Sequence, residues 1–272
     1  FLGNPNPKAK AKVDAQREKA DAAVQQLEVL VRKLNLNPPE LAVLRDLLSD
    51  KSTIRSEVDR TNGSRAFSYY SQVNQIAIET AIGLKTYVKN SELASDLSIA
   101  FLYAQYKERL GQLRGKINGT LAKQELNAAT RNELNFYVQQ IDLIGRRLLA
   151  QLTGDNLANY QQAMQSDISL NVDKITDKLL GTNSPDFNTL PKSSVWFSSA
   201  TQQIGLVKKL LDEQWRKTIQ QGDEINSDID NEILSSLIFF FVMCAAIVML
   251  NWHLVSTLKY EIDILSQSLR RI

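Results

Sequence analysis

Residues 134–152 read LNFYVQQIDLIGRRLLAQL, and the apolar positions in this stretch decide the fold class. Leu134, Val138, Ile141, Leu148, Leu149 and Leu152 recur at steps that return to one face of a 3.6-residue helix. A half-buried strand would instead alternate at every second residue, and that pattern is absent. Upstream, Val24, Leu27, Leu30, Val31 and Leu34 repeat the helical spacing. The six prolines fall at positions 5, 7, 38, 39, 185 and 191, so the 145 residues from Glu40 to Ser184 hold none. Proline is the strongest breaker of helix interiors. Its confinement to the ends and to residues 183–191 marks long, uninterrupted helices. Turn signals stand at Asn37-Pro-Pro, Asn62-Gly-Ser, Asn90-Ser-Glu, Gly154-Asp and Asn183-Ser-Pro. Asn37, and Asn90 or Ser91, are suitable helix N-caps. The expected helices cover 8–35, 39–60, 65–89, 92–121, 123–152, 155–179 and 192–255. The fold class is all-α, a long-helix bundle of four-helix-bundle type followed by one transmembrane helix.

That last element is read from ILSSLIFFFVMCAAIVML at Ile233–Leu250, eighteen residues without a charge. Extended to Val255, it gives roughly 34 Å of helix, enough for a hydrocarbon core of about 30 Å. A buried globular helix is the alternative. The stretch Thr218–Glu232 carries five acids and no Lys or Arg, whereas Lys259, Arg270 and Arg271 follow the apolar run. The positive-inside rule therefore places the C-terminal side in the cytoplasm. Trp252 suits the interface, and His253 beside it reads as interfacial rather than as a proton switch. Leu258, Ile262, Leu265, Leu269 and Ile272 follow a 4-3-4-3 spacing, the seam of a coiled coil or the face of an ordinary amphipathic helix. The expected division is a sensor region at 1–217, an acidic juxtamembrane helix at 218–232, a membrane helix at 233–255 and a signalling helix at 256–272. The chain opens on Phe1 with no basic segment leading to an apolar core and cleavage site, so its natural start is expected upstream.

Composition narrows the chemistry. The 272 residues include one His and one Cys. Both, His253 and Cys244, fall in or beside the apolar run, so a zinc site of His and Cys ligands, or a Ser-His-Asp triad, has no ligands or base outside it. A disulfide within the chain is impossible. The net charge of +2 gives no support for nucleic-acid binding. Catalysis by carboxylates or lysines stays open in principle. With no nucleophile, metal or phosphate-binding constellation, no enzyme, no catalytic residue, no metal and no cofactor is expected.

One segment carries a pattern of its own. Lys107, Gly111, Arg114 and Asn118 follow i, i+4, i+7 and i+11 and share a helix face. Arg109 lies about 140° round from Arg114 and cannot easily join that face. Gly111, Gly115 and Gly119 form a stripe whose members each cost about 1 kcal/mol of helix stability relative to Ala. The stripe fits close helix packing, the wall of an anion pocket, or both. Lys107 and Arg114 are anion ligands or merely solvated charges on this evidence alone. Asn62-Gly-Ser and Asn118-Gly-Thr match the glycosylation sequon but read as turn or packing features.

Several collinear stretches resemble the nitrate- and nitrite-sensing (NIT) domain of bacterial membrane receptors. Phe1-Leu-Gly-Asn resembles the end of that family's first motif, which follows a Glu-Arg-Gly helix. Val13-Asp14-Ala15-Gln16-Arg17-Glu18-Lys19-Ala20-Asp21 is similar to its Gln-Arg…Thr-Asp helix. Phe67-Ser-Tyr69-Tyr70 with Val73-Asn74 resembles its Tyr-Tyr…Asn segment. Lys107-Glu108-Arg109-Leu110-Gly111-Gln112-Leu113-Arg114-Gly115 is similar to its Lys-Glu-x-x-Gly-x-x-Arg-Ala/Gly motif. Val195-Trp196-Phe197…Thr201 resembles its closing stretch. The resemblance implies an all-helical, homodimeric periplasmic input module between two membrane spans of a bacterial inner membrane. Its outputs are chemotaxis, kinase or cyclic-dinucleotide signalling, with a chemotaxis transducer the first expectation. It further implies ligand contact by two arginines, one from the upstream Glu-Arg-Gly motif and one at Arg114. Leu113 departs from the family, which has Glu there, and a shifted register would favour Arg109.

Elementary chemistry suits the same residues. Nitrate is a planar monoanion, and a guanidinium fork engages two of its oxygens at once. A micromolar site needs about 8 kcal/mol, while hydrogen bonds to charged groups supply about 1.5–3 kcal/mol each. One arginine is therefore insufficient, and the chain by itself is expected to bind weakly. A receptor for another small anion or an amino acid, and a membrane-anchored scaffold that senses nothing small, are the alternatives.

Overall fold

Nine helices account for almost all of the described chain, and their ends follow from local chemistry. The computed structural model describes residues 7–60, 65–182 and 184–225, together with Met243. The helices are α1 (Pro7–Lys33), α2 (Pro39–Ser49), α3 (Lys51–Asp59), α4 (Ala66–Lys85), α5 (Ser91–Lys123), α6 (Ala128–Gln151), α7 (Gly154–Met164), α8 (Asp167–Leu180) and α9 (Ser193–Ile225). No strand occurs among the described residues.

Two expected helices are each broken in two. The one expected at 39–60 turns at Asp50, which serves both as C-cap of α2 and N-cap of α3 without leaving the right-handed helical region. The one expected at 155–179 ends at Met164, and Ser166 starts α8 by accepting a hydrogen bond from the Ser169 N–H. The segment expected to begin at residue 123 instead starts at Ala128, because the Asn127 side chain caps the Thr130 N–H at 2.9 Å. At the start of α2 the cap position is Pro38 rather than Asn37, with a second proline at the first helical position. Asn90 does cap α5, its Oδ1 accepting from the Leu93 N–H at 2.9 Å. Asn35 closes α1 in the left-handed region at φ 51°, with the Leu36 N–H bonded back to the Val31 carbonyl.

The chain falls into two compact units, Phe1–Phe101 with Trp215–Ile272, and Leu102–Gln214. The divisions lie inside α5 and α9. In the first unit Leu27 and Val31 of α1, Leu41 and Leu44 of α2, Ile54 and Val58 of α3, and Val73, Ala77 and Leu84 of α4 are buried. The second unit is organised by four helices around one apolar cluster. It takes Leu113, Ile117 and Leu121 from α5, Leu134 from α6, Val172 and Leu179 from α8, and Trp196 and Ala200 from α9. Trp196 has no exposed surface. Truncating so large a buried side chain to Ala costs about 3–5 kcal/mol, so Trp196 sets the position of α9 against α5.

Among the described residues no helix is long and apolar enough to cross a membrane. The expected span at 233–255, with Cys244, Trp252 and His253, and the signalling helix at 256–272 lie outside the described residues.

Candidate functional site

Helix α5 is buried on nearly every side where it passes through the second unit, so its polar residues there are enclosed rather than solvated. Lys107 retains 2%, Arg114 1% and Asn118 3% of its surface. Among the described residues of this unit, the buried polar side chains include these two cations and no carboxylate. Removing a charge from water without a counter-charge is strongly unfavourable. Two enclosed cations on one helix face give this part of the unit a positive local field.

Arg114 is held from three directions. Its Nη1 donates to the Thr201 Oγ1 at 2.7 Å, and the Thr201 hydroxyl in turn donates to the Phe197 carbonyl at 2.6 Å. The hydroxyl proton is thus committed to the backbone, which leaves a lone pair facing the guanidinium. The Arg114 Cζ lies 4.4 Å from the centre of the Phe197 ring, a cation–π contact. The indole Nε1 of Trp196 donates to the Arg114 carbonyl at 3.1 Å. Position and orientation of the fork are therefore fixed by α9. Burial pulls the Arg114 pKa down to about 9, with the Glu108 charge offsetting only part of that loss. The group remains charged at neutral pH.

Lys107, two turns earlier on the same face, is enclosed differently. Its Nζ makes no hydrogen bond among the described residues. Burial lowers its pKa to about 8. Glu108 on α5 and Asp212 on α9 act to raise it, and Lys208 on α9 acts to lower it further. An amine with three donors and no acceptor is the most unsatisfied cation of this helix. The Asn118 Oδ1 is likewise buried without a hydrogen bond.

The structure thus places Lys107 and Arg114 together on the buried face of α5, with Asn118. It does not bring Arg109 there. Arg109 is half-buried on another face and donates to the Gln112 Oε1 at 2.7 Å, while Gln112 donates to Glu108. The glycine stripe needs correction at one position. A Cβ at Gly119 would meet no described atom within 4 Å, so close packing does not explain that glycine. Gly115 is buried and Gly111 half-buried. A closely packed glycine that sequence reasoning missed is Gly145, where a Cβ would stand 3.1 Å from the Tyr160 hydroxyl and 3.5 Å from the Tyr106 ring. Phe197 and Thr201, quoted above for their resemblance, were not singled out as site residues. Their i, i+4 spacing, which stacks an aromatic ring and a hydroxyl on one helix face, is the signal that was available.

Among the described residues no group of three or more His, Cys, Asp or Glu side chains could hold a metal ion. The arrangement offers enclosed positive charge, a fixed fork and an aromatic wall. It can bind and orient a small anion. A family model described as nitrate and nitrite sensing matches residues 1–217. No curated protein and no solved structure matches the chain.

Proposed function

Because the chain belongs to the nitrate and nitrite sensing family, we propose that its second unit holds that anion on Arg114, with Lys107 supplying a second positive charge. The observation that carries this reading is the enclosure of both cations in a unit whose buried polar side chains include no carboxylate. Nitrate would take two hydrogen bonds from the Arg114 fork and lie near the Phe197 ring. Two charge-assisted bonds supply about 3–6 kcal/mol. The seven steps from Lys107 to Arg114 span about 10.5 Å of helix. A charge about 10 Å away adds roughly 1.5 kcal/mol at an effective dielectric near 20. Arg114 is thus the principal contact and Lys107 the supporting field, in a site of about sub-millimolar to low-micromolar strength.

The same reading makes the chain the input region of a bacterial transmembrane receptor, acting as a homodimer, with the sensor domain in the periplasm and 233–255 crossing the inner membrane. Signal would leave along α9, whose Phe197 and Thr201 touch Arg114 and whose sequence leads toward that segment. A chemotaxis transducer is the proposed output. The role is recognition without catalysis. A nitrate titration by calorimetry tests it: saturable heat in the wild type, lost in Arg114→Ala, is the expected result. Equal binding in both proteins would remove Arg114 from the site, and a response to amino acids but not to nitrate or nitrite would replace the ligand.

A further inference from the structure

Helices α5 and α9 run antiparallel in the second unit, because Arg114 meets Thr201 while the earlier Lys107 feels the later Lys208. Gly111 lies midway between Lys107 and Arg114 on α5. Gly205 lies midway between Thr201 and Lys208 on α9, sharing their face at i+4 and i−3. On antiparallel helices this spacing puts Gly205 at the level of Gly111, between the two buried cations. Both are half-buried, whereas Lys107 and Arg114 are almost fully enclosed. A Cβ added at Gly205 would meet no described atom within 4 Å, so space is open at that point of α9. Solvent thus reaches the backbone between two charges that are themselves shut away, one of which has an amine with no hydrogen-bond partner among the described residues.

The geometry points to Gly205 as the residue that admits the anion: its missing side chain leaves an opening opposite Gly111, through which a small oxyanion reaches Arg114 and Lys107. This rests on the reading of Arg114 and Lys107 as the anion's cations.

Two substitutions separate access from folding. Gly205→Ala and Gly205→Met both improve helix propensity, so thermal stability is expected to hold or rise. Nitrate should enter within threefold of the wild-type rate in Gly205→Ala and at least tenfold more slowly in Gly205→Met, with release slowed in proportion and equilibrium affinity little changed. A second probe needs no nitrate binding. Cyanate, a small anion, carbamoylates neutral amines: the carbon of its conjugate acid bonds to the amine nitrogen, and an amine proton moves to the cyanate nitrogen to give a urea. With its pKa near 8, Lys107 has a neutral fraction at pH 8.5 that ordinary lysines lack. Peptide mass spectrometry of the folded chain should find Lys107 carbamoylated in wild type and at least tenfold more slowly in Gly205→Met. Equal rates in the two proteins, or no reaction at Lys107 in wild type, would overturn the opening at Gly205. A wild type that takes cyanate at Lys107 in this pattern yet ignores nitrate would leave the opening standing and contradict the proposed ligand instead.

Discussion

Buried arginines occur in both units, and they are neutralised in opposite ways. In the first unit Arg17 donates to both carboxylate oxygens of Asp59 at 3.0 Å and to the Arg55 carbonyl. Arg55 grips Asp21 with two bonds of 2.7 and 3.0 Å, and Lys51 joins the same carboxylate. Burial alone would lower the Arg55 pKa, but the Asp21 bond and charge outweigh it and raise it. Burial likewise pushes Asp21 up, and the bonds from Arg55 and Lys51 turn the net shift downward. In the second unit the Arg114 fork meets a hydroxyl and an aromatic ring, and its pKa is lowered. On the proposed reading, the comparison separates arginines that staple helices together from one that serves a ligand. Sequence position and residue type are the same kind of fact in both; the partner decides the role.

The largest expected effect that sharpens this contrast is on pH. Lys107 is charged in the folded and unfolded chains below pH 8, and the fold then bears the cost of its burial. Between the folded value near 8 and the ordinary 10.5, the unfolded chain retains a proton that the folded chain has released. Stability should therefore rise with pH across that window, by on the order of 3 kcal/mol. Chemical denaturation at pH 7.5 and 10 measures it, and Lys107→Met should lack the rise while being the more stable protein at pH 7.5. The paired carboxylate of the first unit behaves inversely. With its pKa lowered, Asp21 contributes stability above its ordinary 3.8 that is lost as pH falls below that value.

Next in size is the loss of a staple. Arg55→Met leaves Asp21 without its strongest partner, and since that side chain is 37% exposed, solvent softens the penalty to about 1–2 kcal/mol. Arg114→Met should have the opposite sign, because burial costs the guanidinium more than the Glu108 charge returns. Equal destabilisation by both changes, measured by urea midpoints, would erase the distinction between the two arginines. Lys107→Met should also weaken nitrate binding about tenfold, the equivalent of the roughly 1.5 kcal/mol carried by a charge about 10 Å away. The smallest effect belongs to the surface. Arg45 pairs with Glu28 through two bonds of 2.7 Å but is itself 44% exposed, so Arg45→Met should cost less than about 1 kcal/mol.

Much of this was legible before any coordinates. The helical period and the proline-free interval identify an all-helical chain, and i, i+7 spacing puts Lys107 and Arg114 on one face. What spacing cannot say is whether that face is wet or enclosed, because burial depends on helices distant in the chain. The Arg114–Thr201 bond joins residues 87 positions apart. The breaks at Asp50 and after Met164 were missed for a different reason. Neither contains a proline or glycine, and a chain can turn there by caps and a tightened last turn alone. Arg17 and Arg55 show the same limit from the other side: their partners Asp59 and Asp21 lie 42 and 34 positions away.

The central claim is that the enclosed Arg114 fork, fixed by Thr201 and Phe197, is the contact for an anion. Isothermal titration of the folded chain with nitrate to tens of millimolar, run beside Arg114→Met and Arg55→Met, tests it directly. The account predicts saturable binding in wild type and in Arg55→Met, and at least a hundredfold loss in an Arg114→Met protein that remains folded and is no less stable. Binding that survives in Arg114→Met, or a wild type whose heat never saturates, would contradict it.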